Sequence, residues 1–241
     1  MKKFFILFEA RSGSSHLVSL LNSSPQVTCY SEIYTAQSAE VADQLTKAFV
    51  EGRPLHTINR WALDDHRSID VEKAPHVMGF KTKIYDIPEP DRTLRQLHNA
   101  GATMILLTRT NVLKQAVSRA AGLALYQRSR LYNANSSDET VRSVTVDPDD
   151  VIAFAEVYNA NQVALKVRYE DWTRPKLAIT YEQLLADEIA VVGCVRSLLG
   201  LAPFESRSQV SKNLDDSLQS AVANYDELAA ALKGHPYSRF L

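Results

Sequence analysis

Phe4-Phe5-Ile6-Leu7-Phe8 is an unbroken run of β-forming apolar residues. It gives way to a small polar turn, Arg11-Ser12-Gly13-Ser14-Ser15, and then at once to a helical repeat with Leu17, Leu20 and Leu21 at i, i+3 and i+4. A run that is apolar on both faces suits a strand covered on both sides, as in a parallel sheet. Ser23-Ser24-Pro25 closes the helix that follows. Strand, tight turn and helix within about 24 residues form a βα unit and commit the chain to helices packed over strands.

The same alternation continues. Val27 to Tyr30, Val77 to Lys81, Ala102 to Thr108 and Leu177 to Thr180 read as further strands. Helices are expected over 36–50, 91–99, 111–126, from a start at Asp147-Pro148-Asp149 to about Glu170, over 181–186 and 188–199, and in a last amphipathic stretch at roughly 215–232. Val112, Leu113, Ala116, Val117, Ala120, Ala121 and Leu125 form one apolar stripe. The stretch from Gly52 to Pro75 reads as a helix between loops, and 127–147 as a long surface loop. The pattern predicts a three-layer α/β domain with a P-loop-like, mostly parallel central sheet flanked by helices. Residues 1–241 read as a single domain, with 213–241 its C-terminal helix and tail. In such sheets ligands bind beyond the carboxyl ends of the strands, so Glu9 to Ser15, Ser31 to Glu32, Lys81 to Lys83 and Arg109 onward are the segments to watch.

Composition narrows the function. Lys plus Arg is 27 and Asp plus Glu is 28, a net charge of −1, which argues against a nucleic-acid binder. The two cysteines, Cys29 and Cys194, lie far apart, so neither a zinc site nor a disulfide framework is expected. No apolar run approaches the length of a membrane span. The first residues resemble a signal peptide only briefly, because Glu9 and Arg11 interrupt the apolar core, and the expectation is a cytoplasmic protein. Oligomeric state cannot be read from the sequence.

Arg11-Ser12-Gly13-Ser14-Ser15-His16 is the candidate anion site. A helix N-terminus offers backbone N–H groups and positive partial charge. Gly13 permits close backbone approach, the serines add hydroxyl donors, and Arg11 adds a permanent planar cation. Against the nucleoside-triphosphate pattern G-x-x-x-x-G-K-[ST], Gly13 aligned with the second glycine puts Phe8 at the first and Ser14 at the lysine. The loop thus lacks the lysine that reaches the β- and γ-phosphates. The alternative is a plain strand-to-helix turn whose serines cap the helix.

Leu107-Thr108-Arg109 ends a strand, and Gln115-Ala116-Val117-Ser118-Arg119 follows on the next helix. Together with the first loop, these segments resemble the sulfotransferase family, which uses 3′-phosphoadenosine 5′-phosphosulfate (PAPS) and releases adenosine 3′,5′-bisphosphate (PAP). The resemblance extends to Ala178-Ile179-Thr180-Tyr181-Glu182-Gln183-Leu184-Leu185, to Val195-Arg196-Ser197-Leu198-Leu199-Gly200-Leu201 and to Asn224-Tyr225-Asp226-Glu227-Leu228. It implies that Arg11, Ser12, Gly13, Ser14 and Ser15 hold the 5′-phosphosulfate and that Arg109 and Ser118 hold the 3′-phosphate. The interval between Arg109 and Ser118 is one residue longer than is typical of the cytosolic small-molecule branch and closer to bacterial glycolipid sulfotransferases. His16 stands where the cytosolic branch has an adenine-stacking Trp; it either stacks there or is an uninvolved helix-end residue.

The resemblance also orders the remaining candidates. Carbohydrate sulfotransferases that look like this sequence carry a catalytic Glu in a place comparable to Glu32, which is the expected base. Glu9 is its rival, and a solvated carboxylate or a partner for a substrate-binding Arg is the plainer role for Glu32. Lys81 maps onto the lysine beside the transferring sulfuryl group, and Lys83 onto the position of the cytosolic branch's catalytic His. Lys212 is a possible nucleotide contact, Trp61 and Trp172 are packing or acceptor-wall residues, and Tyr126 to Asp147 is a lid over the acceptor site, the role such long loops often have. No metal site is expected. The implied activity is sulfuryl transfer from PAPS to an acceptor hydroxyl, on a carbohydrate or glycolipid. The alternatives are a nucleotide-dependent kinase with a degenerate P-loop and a non-catalytic nucleotide-binding module.

Overall fold

A computed structural model describes residues 1–58, 76–129, 143–210, 214 and 217–241, the side chains of 128 and 129 aside. Five strands, β1 (Lys2–Phe8), β2 (Val27–Glu32), β3 (Val77–Thr82), β4 (Thr103–Thr108) and β5 (Lys176–Thr180), form one sheet in the order β2-β3-β1-β4-β5. Every neighbouring pair is parallel. All five predicted strands are present, each within two residues of its expected limits.

The helices are α1 (Ser14–Asn22), α2 (Ala39–Glu51), α3 (Pro90–Asn99), α4 (Val112–Ser129), α5 (Pro148–Glu170), α6 (Tyr181–Ala186), α7 (Glu188–Leu199), α8 (Leu218–Ala221) and α9 (Tyr225–Ala231). They belong to two compact units. The first comprises Met1–Thr108 and Ala164–Ser208, and the second Arg109–Val163 and Gln209–Leu241.

The first unit is the three-layer sandwich that the alternating pattern predicts. Successive strand residues point to opposite faces. Phe5 and Leu7 of β1 enter a core with Leu45 and Phe49 of α2 and Leu94 and Leu97 of α3. Phe4, Ile6 and Phe8 enter a second core with Leu17 and Leu20 of α1, Leu184 of α6 and Val195 and Leu199 of α7. Gly79 is required by this packing, because a Cβ there would run into the ring of Phe4. Trp172 is a packing residue: it is buried in the first of these cores, edge-on to Phe5 at 5.2 Å. Trp61 lies outside the described residues.

The second unit departs from expectation at two places. Helix α4 runs to Ser129, into the stretch predicted as loop; residues 130–142 of that stretch lie outside the described residues, as does Lys212. The expected amphipathic helix at 215–232 is broken into α8 and α9. The break has a tertiary cause. Val222 takes an extended conformation and bridges Val144, with Val144 N–H donating to the Ala221 carbonyl and Ala223 N–H to the Val144 carbonyl. Asn224 then receives the Val146 N–H at 3.0 Å and donates to its carbonyl at 2.8 Å. Strand-like bonds to a distant segment displace the helical ones, an override that local propensity does not reveal. Of the stretch from Gly52 to Pro75, a 3₁₀ turn at Leu55–Thr57 is described, and 59–75 lie outside the described residues.

Candidate active site

Parallel strands deliver their carboxyl ends to one edge of the sheet. At that edge of the first unit, β1 ends in the anion loop, β3 in Lys81-Thr82-Lys83 and β2 in Glu32. The strand order puts β3 between β1 and β2, so these three segments are neighbours.

The loop takes its shape from two left-handed residues, Arg11 (φ 63°) and Gly13 (φ 85°). Gly13 suits that conformation and also leaves room for Tyr181, whose ring a Cβ at 13 would strike. Arg11 holds it without that freedom, a local cost typical of functional loops. Helix α1 starts at Ser14, two residues earlier than the apolar repeat indicates, with Gly13 as cap and no side-chain capping bond. Ser14 and Ser15 therefore form its first turn, where backbone dipoles favour an anion. Ser12 is fully buried, and its Oγ has no hydrogen-bond partner among the described residues. An orphaned hydroxyl, a cap with no side chain and a cluster of hydroxyl and cationic donors fit an anionic ligand.

Lys81 points its ammonium at this loop. It is 1% exposed, donates to Ser15 Oγ at 2.8 Å and lies 3.6 Å from Glu32 Oε1. The meeting of Lys81 with Glu32 depends on a register shift. Tyr30 pairs with Phe80 but Glu32 with Lys81, so Ser31 is an extra residue in β2. Without that bulge Ser31 would oppose Lys81 and Glu32 would point away.

Glu32 Oε2 lies 2.6 Å from the Lys83 ammonium, which also reaches Asp86 Oδ2 at 3.1 Å. Burial lowers the proton affinity of Lys83, but the Glu32 and Asp86 carboxylates outweigh it and hold the ammonium above the ordinary lysine range. Thr35 Oγ1 donates to Asp86 Oδ2 at 2.6 Å. Glu9 is 1% exposed, and its Oε1 accepts from the Ala10 N–H at 2.8 Å and the Tyr85 hydroxyl at 2.9 Å. It anchors the entrance of the loop.

Both ring nitrogens of His16 are engaged, Nδ1 with Ser208 Oγ at 2.8 Å and Nε2 with Glu188 at 3.0 Å. Burial pushes the imidazole below its ordinary range, and the Glu188 carboxylate only partly offsets this.

Arg109 and Ser118 belong to the second unit. Arg109 is 6% exposed, and its carbonyl accepts from Gln162 Nε2 at 2.9 Å. The same amide nitrogen donates to Gln115 Oε1 at 3.0 Å. Asn111 Oδ1 caps α4 by accepting from the Lys114 N–H at 2.8 Å. Ser118 is half-buried on α4, and Arg119 lies over the Phe154 ring at 4.3 Å. The structure thus brings Ser15, Lys81, Glu32 and Lys83 into one network. Sequence reading missed Thr35, Asp86 and Tyr85 as members of that site. The one available signal was Asp86 three residues after Lys83, the spacing of a helical ion pair. Among the described residues, no group of three or more His, Cys, Asp or Glu could hold a metal ion, and no helix is long and apolar enough to cross a membrane.

Comparison with solved structures places this architecture. A sulfotransferase from Alicyclobacillus acidocaldarius is similar over 97% of this chain and 92% of its own, with 18% identity and a TM-score of 0.51. Mouse sulfotransferase SULT7A1, solved with PAP, is similar over 85% of this chain at 14% identity and a TM-score of 0.47, and this chain spans 61% of its length. The sulfotransferase domain from the curacin biosynthetic pathway is similar over 85% of this chain and 76% of its own, with 16% identity and a TM-score of 0.49. No protein-family model and no curated protein sequence matches the chain. The chain has the sulfotransferase fold.

Proposed function

We propose that this protein, read over residues 1–241 as one domain, is a sulfotransferase that moves a sulfuryl group from PAPS to a hydroxyl on a carbohydrate or glycolipid. The observation that carries this reading is the junction of Ser15, Lys81 and Glu32, where a buried cation touches an anion loop on one side and a carboxylate on the other. The carboxylate base and the Gln115-Ala116-Val117-Ser118 segment favour the carbohydrate and glycolipid class of acceptor.

The donor supplies an activated sulfuryl group on a phosphate leaving group. Arg11, the loop serines and the backbone of α1's first turn bind its 5′ end, and Ser12 Oγ gains the partner it lacks. Arg109 and Ser118 bind the 3′-phosphate, and His16 contributes its ring face to adenine, since both nitrogens are tied. An acceptor oxygen forms a bond to sulfur as the sulfur–oxygen bond to the 5′-phosphate breaks. The electron pair goes to the phosphate, and the acceptor proton goes to Glu32. Lys81 stabilises the charge that grows on the leaving group, the kind of preorganised electrostatic help that accounts for much of catalysis in group transfer.

Calorimetry and a transfer assay test this. Adenosine 3′,5′-bisphosphate is expected to bind tightly and ATP with magnesium weakly. A preference for ATP with magnesium overturns the reading in favour of a kinase. With PAPS and a panel of sugars and glycolipids, Glu32→Gln is expected to lower turnover by about 10²-fold or more, the usual scale of general-base catalysis. Bisphosphate binding without transfer to any acceptor overturns the enzymatic reading, and unchanged turnover in Glu32→Gln overturns the assignment of the base.

A further inference from the structure

We infer that Lys83 is a positioning residue: its ammonium holds Glu32 by Oε2 and so presents Oε1, the oxygen beside Lys81 and the anion loop, to the acceptor hydroxyl. The inference rests on the reading of Glu32 as the base.

The two oxygens of Glu32 have different surroundings. Oε2 has the Lys83 ammonium at 2.6 Å and the Thr35 hydroxyl at 3.4 Å. Oε1 has the Lys81 ammonium at 3.6 Å, and Lys81 in turn donates to Ser15 at 2.8 Å. Oε2 is therefore held at short range by Lys83, and Oε1 lies on the Lys81 side. A carboxylate gripped at one oxygen keeps the acceptor capacity of the second, because each oxygen carries two lone pairs.

The clamp is itself held. Asp86 binds Lys83 at 3.1 Å and accepts from Thr35 Oγ1 at 2.6 Å. Two turns fix the backbone beneath it: Thr35 N–H to the Glu32 carbonyl, and Asp86 N–H to the Lys83 carbonyl, both 3.2 Å. Lys83 is 15% exposed, so its stem is packed and its head has few orientations to lose. Two roles are thereby closed to it. A side chain already matched to two carboxylates is poorly placed to bind an anionic substrate. One held as an ammonium cannot take a proton from the acceptor, and that duty falls to Glu32 Oε1.

The test follows the glutamate carboxylates of the full chain by carbon-13 NMR through a pH titration, with calorimetry for adenosine 3′,5′-bisphosphate alongside. In Lys83→Met the Glu32 midpoint is expected to rise by about one pH unit, a tenfold gain in proton affinity, as for loss of a close opposite charge. Lys83→Arg restores the wild-type midpoint. Bisphosphate affinity stays at the wild-type value in both. Lys83→Gln, which keeps a long stem and polar head, replaces the Met variant if that fails to fold. In the transfer assay, the acid limb of the pH–rate profile moves to higher pH in Lys83→Met and returns in Lys83→Arg, with the donor KM unchanged. An unmoved Glu32 midpoint overturns the inference, and so does a fall in bisphosphate affinity, which would put Lys83 on the donor. Failure of the sulfotransferase reading shows separately, as wild-type protein that binds no bisphosphate, and the NMR arm still decides the role of Lys83.

Discussion

The two polar clusters follow opposite plans. At the sheet edge of the first unit, Lys81, Glu32, Lys83 and Asp86 form an ionic chain of two cations and two anions that ends on the anion loop. In the second unit, a cluster of amides joins α5 to the start of α4: Gln162 spans the Arg109 carbonyl and the Gln115 side chain. Neutral amides with matched donors and acceptors fix a backbone position and change little when a ligand charge arrives. Buried ions respond strongly to added charge, because low dielectric amplifies each interaction. The first cluster suits the proposed reaction, in which charge moves. The second holds the segment that carries Arg109.

Lys81→Met breaks that contrast with the largest expected effect. Met keeps a long stem but removes the ammonium, which lies 5.7 Å from the Phe8 ring centre and donates to Ser15. Loss of one preorganised charge-stabilising group costs about 10²–10³ in rate. Single-turnover transfer from labelled PAPS measures it. A wild-type rate in this variant would strip the ionic cluster of its catalytic meaning and leave the two clusters alike.

That prediction also marks what could be read in the sequence. The turn between β1 and α1 was legible because strand, turn and helix are contiguous, so local pattern alone displays it. Lys81 and Glu32 were legible singly, as polar residues at strand ends. Their contact was not, because it depends on β3 lying beside β2 and on one extra residue at Ser31, and neither leaves a periodic trace. The same limit explains the helix expected at 215–232: its apolar spacing is real, but Val222 and Asn224 are claimed by Val144 and Val146, some 78 residues away. His16 was expected to open the helix, which starts two residues earlier at Ser14, and its partners come from Glu188 and Ser208, which no spacing links to it.

Gln162→Leu attacks the amide cluster and is expected to act on stability rather than chemistry. The substitution removes the two bonds that Gln162 donates, to the Arg109 carbonyl and to Gln115 Oε1, in a place where Gln162 is 7% exposed and Gln115 fully buried. Loss of such intramolecular hydrogen bonds costs about 0.5–1.5 kcal/mol each. Urea denaturation should show a lower midpoint at an unchanged slope. The sharpening comes from Gln162→Leu combined with Lys81→Met: the stability loss should be that of the first and the rate loss mainly that of the second. A rate loss from Gln162→Leu alone as large as that from Lys81→Met would erase the division between a reactive and a supporting cluster.

The smallest effect separates His16 from the ionic chain by its pH dependence. Burial lowers the imidazole's proton affinity in the folded chain below its ordinary value of 6.5, against the opposing pull of Glu188. The unfolded chain then binds more protons than the folded chain as pH falls through 6.5. His16 therefore favours folding fully above that value and progressively less below it. Lys83 has the opposite sign: its proton affinity is raised on folding, so its contribution is complete below the ordinary lysine range and is lost only in strongly alkaline solution. Thermal melts at pH 5 and 7.5 should show a lower Tm at the acid end, and His16→Gln, which cannot protonate, should narrow that difference. An equal acid-side loss with and without the imidazole would mean that other groups govern the fall, and that the link from α1 to Ser208 is insensitive to protonation.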